Sequence, residues 1–447
     1  MEREIHNKFY AWKISSRRKP LIIRGARQVG KTYSVLEFGK QHYRKVHQIN
    51  FEKTPKWKDI FEMDLDAVRI VEELEFLLND KIDIETDLLF FDEIQNCPKA
   101  IMSLRYFYEQ LPKIHLIAAG SLLEFALNNI SFPVGRVQTL EMLPMSFSEF
   151  IKAFGKEKVY KIIQSHPAKL SSIIHETILE DVFSYFFVGG MPEAVKHYCE
   201  SGKMADVFEI HSDLLYTYAQ DFSKYSPSVN RDCLNMVLSA SGKSTGKQIK
   251  YSQLASGFSN PTIKSAFMAL ANARLLRKVR ATSPSGLPLE AGANEKRFKS
   301  VFLDIGLMAH INGLSNNYLD IKHNMNKIFD GAMAEQFVGQ EFLAAGQKNL
   351  YYWARQSKSS TAEVDYLLVN DNEIIPIEVK NSSSGRLKSL HLLLNQFPNI
   401  KKAYVLSHTE YGKIENQKLE FIPIYYASHL AKKEQWVYDK QLYTDAV

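Results

Sequence analysis

Eight residues, Gly25-Ala26-Arg27-Gln28-Val29-Gly30-Lys31-Thr32, restrict the architectures open to this chain more than any other stretch. They follow the spacing GxxxxGK[ST]. The short β-rich run Leu21-Ile22-Ile23 stands directly before them, and helix-like sequence follows. A strand, a glycine-bearing loop and a helix in that order lead into a parallel sheet covered by helices. The loop is built for phosphate. Its glycines let successive N–H groups turn to one side, the helix N-terminus adds a favourable dipole, Lys31 reaches the β- and γ-phosphates, and Thr32 offers a hydroxyl to Mg²⁺. Arg27 lies within the loop and has two readings, a phosphate contact or a solvent-facing side chain.

The rest of the first 150 residues fits an α/β unit. Val46 to Phe51 reads as a second strand, and Phe61 to Asn79 has the 3.6-residue apolar spacing of an amphipathic helix. Asp87-Leu88-Leu89-Phe90-Phe91-Asp92-Glu93 is a buried strand ending in two acids, and His115 to Ala119 is another apolar strand. In such a sheet the acids arrive beside the phosphate loop. Asp92 is expected to hold Mg²⁺ through water, and Glu93 to orient the water that attacks a γ-phosphate.

These features, with Gly120-Ser121 closing the next strand, resemble the AAA-plus superfamily, and Ile22 to Thr32 is similar to its prokaryotic branch. The resemblance implies ATP rather than GTP; no guanine-reading NKxD motif stands out. It places Ser121 at the polar sensor position. Gly135-Arg136, followed by Leu143-Pro144-Met145-Ser146-Phe147-Ser148-Glu149-Phe150, resembles the stretch after the sensor strand, which makes Arg136 the candidate finger or γ-phosphate-sensing arginine. Gly189-Gly190-Met191-Pro192-Glu193-Ala194 is similar to the lid signature, with Pro192 near the nucleotide. A plain helix-breaking turn explains the same residues.

From about Phe150 to Ser226 the pattern is helical, as a lid would be. Lys247 to Lys278 then reads as a helix, a turn around Ser256 to Pro261, and a second helix from Thr262 to Leu276. Leu276 to Ala281 and Arg297 to Leu303 are expected to form a β-wing. This layout resembles the winged-helix domain that follows many AAA-plus lids. Lys264, Arg274, Arg277, Lys278 and Arg280 supply bases for a DNA backbone; the alternative is an ordinary solvated face.

A helix from Asp330 to Ala345 and strands over Leu350 to Trp353, Ala362 to Val369 and Glu373 to Val379 make the last unit α/β again. Glu335 falls on the helix, Glu363 and Asp365 on one strand, and Glu378-Val379-Lys380 on the next. Period-2 geometry puts Glu378 and Lys380 on one face. The order resembles the PD-(D/E)xK nuclease fold, with Val364 where that name has proline. The resemblance implies a Mg²⁺ site of Glu335, Asp365 and Glu378, with Lys380 catalytic.

The expected fold class is therefore α/β: a P-loop parallel sheet with a helical lid, a winged helix and a C-terminal restriction-endonuclease-like domain. The expected boundaries are 1–150, 151–228, 229–325 and 326–447. The whole resembles a large family of prokaryotic ATPases carrying a C-terminal domain of unknown function. The expected function is ATP hydrolysis coupled to a nuclease-like domain acting on DNA. The alternative is an ATP-dependent signalling or defence switch whose last domain binds a protein partner without cleaving anything.

Composition excludes other classes. Hydrophobic residues make up 45% and charged residues 24% of 447, which suits several folded cores. The longest apolar stretch, Ile114 to Ile130, is broken by His115, Ser121 and Glu124, so no membrane span is expected. The opening Met-Glu-Arg-Glu-Ile-His lacks a secretory pattern, which suggests a cytoplasmic protein. Cys97, Cys199 and Cys233 have no metal-binding spacing. A net charge of +6 is compatible with phosphate-bearing partners and selects none.

Overall fold

The computed structural model describes residues 1–447 apart from 122, 124–130, 222–228, 323–327, 329–330, 356–361, 381–386 and 433–447. The Ser382 to Gly385 loop and most of the second half of the Ile114 to Ile130 stretch lie outside the described residues. The described residues fall into two compact units. One holds Met1–Pro144 and Asn272–Leu275; the other is built from Met145–Ser223, Ser228–Ala271 and Leu276–Val447.

The first unit contains β1 (Leu21–Arg24), β2 (Val46–Asn50), β3 (Leu88–Asp92), β4 (His115–Gly120) and β5 (Gln138–Glu141). All pair in parallel, in the order β2-β3-β4-β1-β5. Every residue of β3 and β4 is buried, because helices cover both faces and leave no wet side on which polar residues would alternate. Helices α1 (Ile5–Ile14), α2 (Lys31–His42), α3 (Ala67–Leu78) and α4 (Pro98–Gln110) belong to this unit. The helix expected from Phe61 starts later. The Asp66 carboxylate accepts the Arg69 N–H at 2.9 Å and so fixes the start of α3, which leaves Ile60–Met63 as a separate turn. Phe51, Phe61 and Phe91 meet edge to face at 5.6–5.8 Å in the core.

Register decides where the chemistry collects. Asn50 lies opposite Asp92, Asp92 opposite Ala119, and Arg24 opposite Gly120. The carboxyl ends of β1 to β4 therefore finish on one edge, where open parallel sheets bind ligands.

The second unit opens with α5 (Phe147–Ala153), α6 (Glu157–Gln164), α7 (Ser172–Val188), α8 (Pro192–Ser201) and α9 (Met204–Gln220). The expected helical segment is there. Next come α10 (Arg231–Lys243) and α11 (Asn260–Asn272); the first helix expected after Lys247 is only a single turn at Tyr251–Gln253. The hairpin expected as a wing forms as β6 (Leu276–Ala281) and β7 (Asn294–Phe302), yet it is not a free wing. It belongs to an eight-stranded mixed sheet with β8 (Leu350–Ala354), β9 (Glu363–Asn370), β10 (Glu373–Val379), β11 (Ala403–Ser407), β12 (Gly412–Ile414) and β13 (Leu419–Pro423). The order is β12-β13-β11-β10-β9-β8-β6-β7, with β6 parallel to β8. The cause is legible in β7. Its last five residues, Phe298 to Phe302, are all buried, which a wing wetted on one face would not allow. Helices α12 (Ile305–Ile311), α13 (Ala332–Ala344), α14 (Lys388–Gln396) and α15 (Ala427–Ala431) complete the unit.

Candidate functional site

The loop after β1 is shaped by two close constraints. A Cβ at Gly25 would lie 2.2 Å from the Met142 carbonyl oxygen, so only glycine fits where the chain leaves the sheet. Gln28 and Gly30 adopt left-handed backbone (φ 63° and 92°), and Gly30 caps α2. Lys31, 7% exposed, donates to the carbonyls of Gly25 at 3.1 Å and Ala26 at 2.7 Å. Burial pushes its ammonium down to about 8, resisted by the charges of Glu93 and Asp92 and reinforced by that of Arg27.

Asp92 is the hub of the edge. It is 2% exposed and accepts from the Thr32 hydroxyl at 3.0 and 3.2 Å, from the Gln48 and Asn50 amides at 3.0 Å each, and from the Glu93 N–H at 3.1 Å. Gln48 and Asn50 were missed in the sequence. Their signal is the alternation Val46-His47-Gln48-Ile49-Asn50, which aims two amides to one side of β2. Glu93 turns out of the strand with φ 51°, and the Gln95 amide donates to its carboxylate at 2.5 Å. Ser121, at the end of β4, is 2% exposed, and its hydroxyl has no hydrogen-bond partner among the described residues. An orphaned buried hydroxyl on the same edge as a Thr32–Asp92 oxygen pair suits a Mg²⁺-nucleotide, because that cation takes oxygen donors and keeps its waters.

Arg136 and Pro192 are expected at the same site. Arg136 pairs with Glu109 at 2.9 Å and lies over the Tyr108 ring. It sits two residues ahead of β5, whose Gln138 is level with Leu21 at the start of β1, whereas the phosphate loop leaves the far end of that strand. Arg136 is therefore at the amino edge of the sheet, whereas its own phosphate loop begins at the carboxyl edge. Pro192 is the first residue of α8, in the second unit. The glycines before it serve a close backbone approach: Gly190 N–H donates to Asp304 at 2.6 Å, its carbonyl accepts the Met145 N–H at 2.6 Å, and a Cβ on Gly190 would lie 2.0 Å from the Met145 oxygen. Burial pushes the Asp304 carboxyl up to about 6, against the N–H groups of Gly190, Leu307 and Gly306 that donate to it.

The C-terminal acids do converge, around a residue the sequence reading passed over. Lys299 of β7 is 1% exposed, and its ammonium lies 2.8 Å from Glu335, 2.5 Å from Glu363 and 3.4 Å from Asp365. Glu378 and Lys380 form a second pair at 3.1 Å, and the other Glu378 oxygen has no hydrogen-bond partner among the described residues. Asp365 also accepts the Val379 N–H at 2.8 Å. Burial, with the charge of Asp365 next, drives the carboxyls of Glu335 and Glu378 up. Among the described residues no group of three His, Cys, Asp or Glu is disposed to hold a metal ion. The expected ligand set Glu335, Asp365 and Glu378 does not fit Mg²⁺ as it stands. The signal for Lys299 was a lysine inside the otherwise poorly wetted run Phe298 to Phe302.

Two bases of the expected basic stripe are paired with carboxylates. Arg280 forks onto Glu290 at 2.6 Å and reaches Glu295 at 2.8 Å, and Lys278 lies 3.7 Å from Glu295. Both side chains are mostly covered, while Lys264 of the same set is exposed.

Residues 17–151 match the AAA domain family. Residues 179–318 and 330–427 match two domains of unknown function, DUF8612 and DUF4143. No curated protein matches the chain. Among solved structures, the chain is similar to the Aeropyrum pernix ORC1 protein in complex with DNA at 10% identity, covering 71% of this chain and 91% of that one, with a TM-score of 0.30. It is similar to AMPPCP-bound DnaA from Aquifex aeolicus at 15% identity, covering 61% and 87%, with a TM-score of 0.26. For C. elegans PCH-2 the values are 12%, 45% and 63%, and 0.27. Residues 17–151 thus form an AAA-type, ATPase-like domain on a parallel five-stranded sheet. No helix among the described residues is long and apolar enough to cross a membrane.

Proposed function

We propose that the first unit binds ATP with Mg²⁺ and hydrolyses it to ADP and phosphate. The observation that carries this reading is the Thr32 hydroxyl held 3.0 Å from the Asp92 carboxylate, on the edge where the buried Lys31 ammonium lies. Phosphate oxygens would take over Lys31 from the Gly25 and Ala26 carbonyls and give its charge an anionic partner. Thr32 directly, and Asp92 through water, would hold Mg²⁺, which supplies charge neutralisation on the β- and γ-phosphates.

Glu93, steadied by Gln95, orients a water and draws on its proton. The water oxygen bonds to the γ-phosphorus while the bond to the β–γ bridging oxygen breaks, and that electron pair leaves with ADP. Lys31 and the α2 N-terminus stabilise the charge that spreads over the phosphoryl oxygens. The Ser121 hydroxyl is free to donate to the same group. The test is ATP turnover alongside equilibrium ATP binding. Glu93→Gln should keep binding and lose turnover about 100-fold or more, whereas Lys31→Ala should lose binding. Parent-like turnover in Glu93→Gln would remove Glu93 from the mechanism.

For the second unit, the reading favoured over nuclease action is a partner-binding role set by nucleotide state, and Lys299 at the centre of the acids is the observation that favours it. Cleavage of DNA that depends on Asp365 would reverse this preference.

A further inference from the structure

We propose that Lys299 is the resident cation of the C-terminal carboxylate cluster, taking the place of a divalent metal, so that Glu335 and Asp365 bind no Mg²⁺ or Mn²⁺. An ammonium has three N–H donors, and Lys299 meets one oxygen from each of Glu335, Glu363 and Asp365 at 2.8, 2.5 and 3.4 Å. The other oxygen of Asp365 accepts the Val379 N–H at 2.8 Å.

The lysine is also held where it is. It comes from β7, reaches across the faces of β6 and β8, and passes 5.2 Å from the Tyr352 ring centroid. With 1% of its side chain exposed, it has no wet route along which to swing aside. A buried ammonium stripped of these partners would be left uncompensated, and so would the carboxylates it leaves behind. A metal at Glu335 and Asp365 would therefore have to displace a buried, paired charge, and each of the two carboxylates would have to give up the Lys299 ammonium to bind it. The lysine lies in the part of the chain matched by DUF8612 and the acids in the part matched by DUF4143. Each segment alone holds only half of the charge balance.

The experiment is Mn²⁺ titration of the full-length, nucleotide-free, metal-stripped protein, followed by electron paramagnetic resonance, with Asp365→Asn and Glu335→Gln run beside it. The three isotherms should superimpose. One further equivalent of Mn²⁺ bound by the parent and lost in both variants would overturn the proposal. Thermal unfolding supplies a second readout. Lys299→Met should lower the midpoint by several degrees, and adding Glu335→Gln to it should recover part of that loss. A Lys299→Met protein with an unchanged midpoint would equally overturn the proposal. If Lys299→Met does not fold, folding of the double variant would uphold it, and the parent isotherm decides the case on its own.

Discussion

Lys31 carries its charge where water hardly reaches, and this has consequences for stability and for ligand binding alike. Its ammonium falls from an ordinary 10.5 to about 8 in the folded chain. The unfolded chain therefore binds more protons between those values, and stability rises with pH across that window. Below pH 8 both states hold the proton and the full penalty applies, about 3 kcal/mol; above 10.5 it vanishes. Lys31→Met should accordingly raise the thermal midpoint at pH 7 by several degrees while abolishing ATP binding, and the gain should fade toward pH 10.5. Equal midpoints at pH 7 would show that the lysine is not strained by burial. ATP affinity of the parent should weaken as pH climbs through about 8, because the neutral amine attracts no phosphate. Arg136 makes the opposite case. Its ion pair with Glu109 lies on the amino edge, so Arg136→Ala should leave turnover at low protein concentration within about threefold of the parent, the scale of an exposed pair. A deficit appearing only as concentration rises would mark an arginine acting on a neighbouring chain.

Among the elements, the turns decide more than the helices they join. The α7–α8 connection depends on Gly190, where a side chain would meet the Met145 carbonyl at 2.0 Å. Gly190→Ala should cost roughly 3 kcal/mol, read as a fall in the denaturant midpoint, since backbone must move to admit the methyl group. Helix α5 begins with a capping box: the Ser146 hydroxyl accepts the Glu149 N–H at 3.3 Å, and the Glu149 carboxylate accepts the Ser146 N–H at 2.9 Å. Ser146→Ala should cost about 1 kcal/mol by the same measurement. The contrast between these two values separates a backbone approach with no alternative from the loss of a single capping hydrogen bond.

At the scale of the whole molecule, incubation of the full-length protein with Mg²⁺ and linear, single-stranded or branched DNA, with and without ATP, should give no cleavage that Asp365→Ala removes. What the sequence determined alone was local. A glycine-bearing loop between a buried strand and a helix, and two acids ending an apolar strand, were legible because backbone freedom, period and strand length act over a few residues. Thr32, Asp92 and Glu93 needed only that the strands lie parallel. Tertiary structure decided what depends on residues far apart in the chain. Gln48 and Asn50 became partners of Asp92 through strand register, and Arg136 went to the amino edge because β5 starts level with β1. Lys299, 36 residues before Glu335 and read as part of a wing, entered the acid cluster because β6 paired with β8. A hairpin's residues state that it is a hairpin, but which sheet it joins depends on which open edge has a matching face, and that is a property of the folded chain.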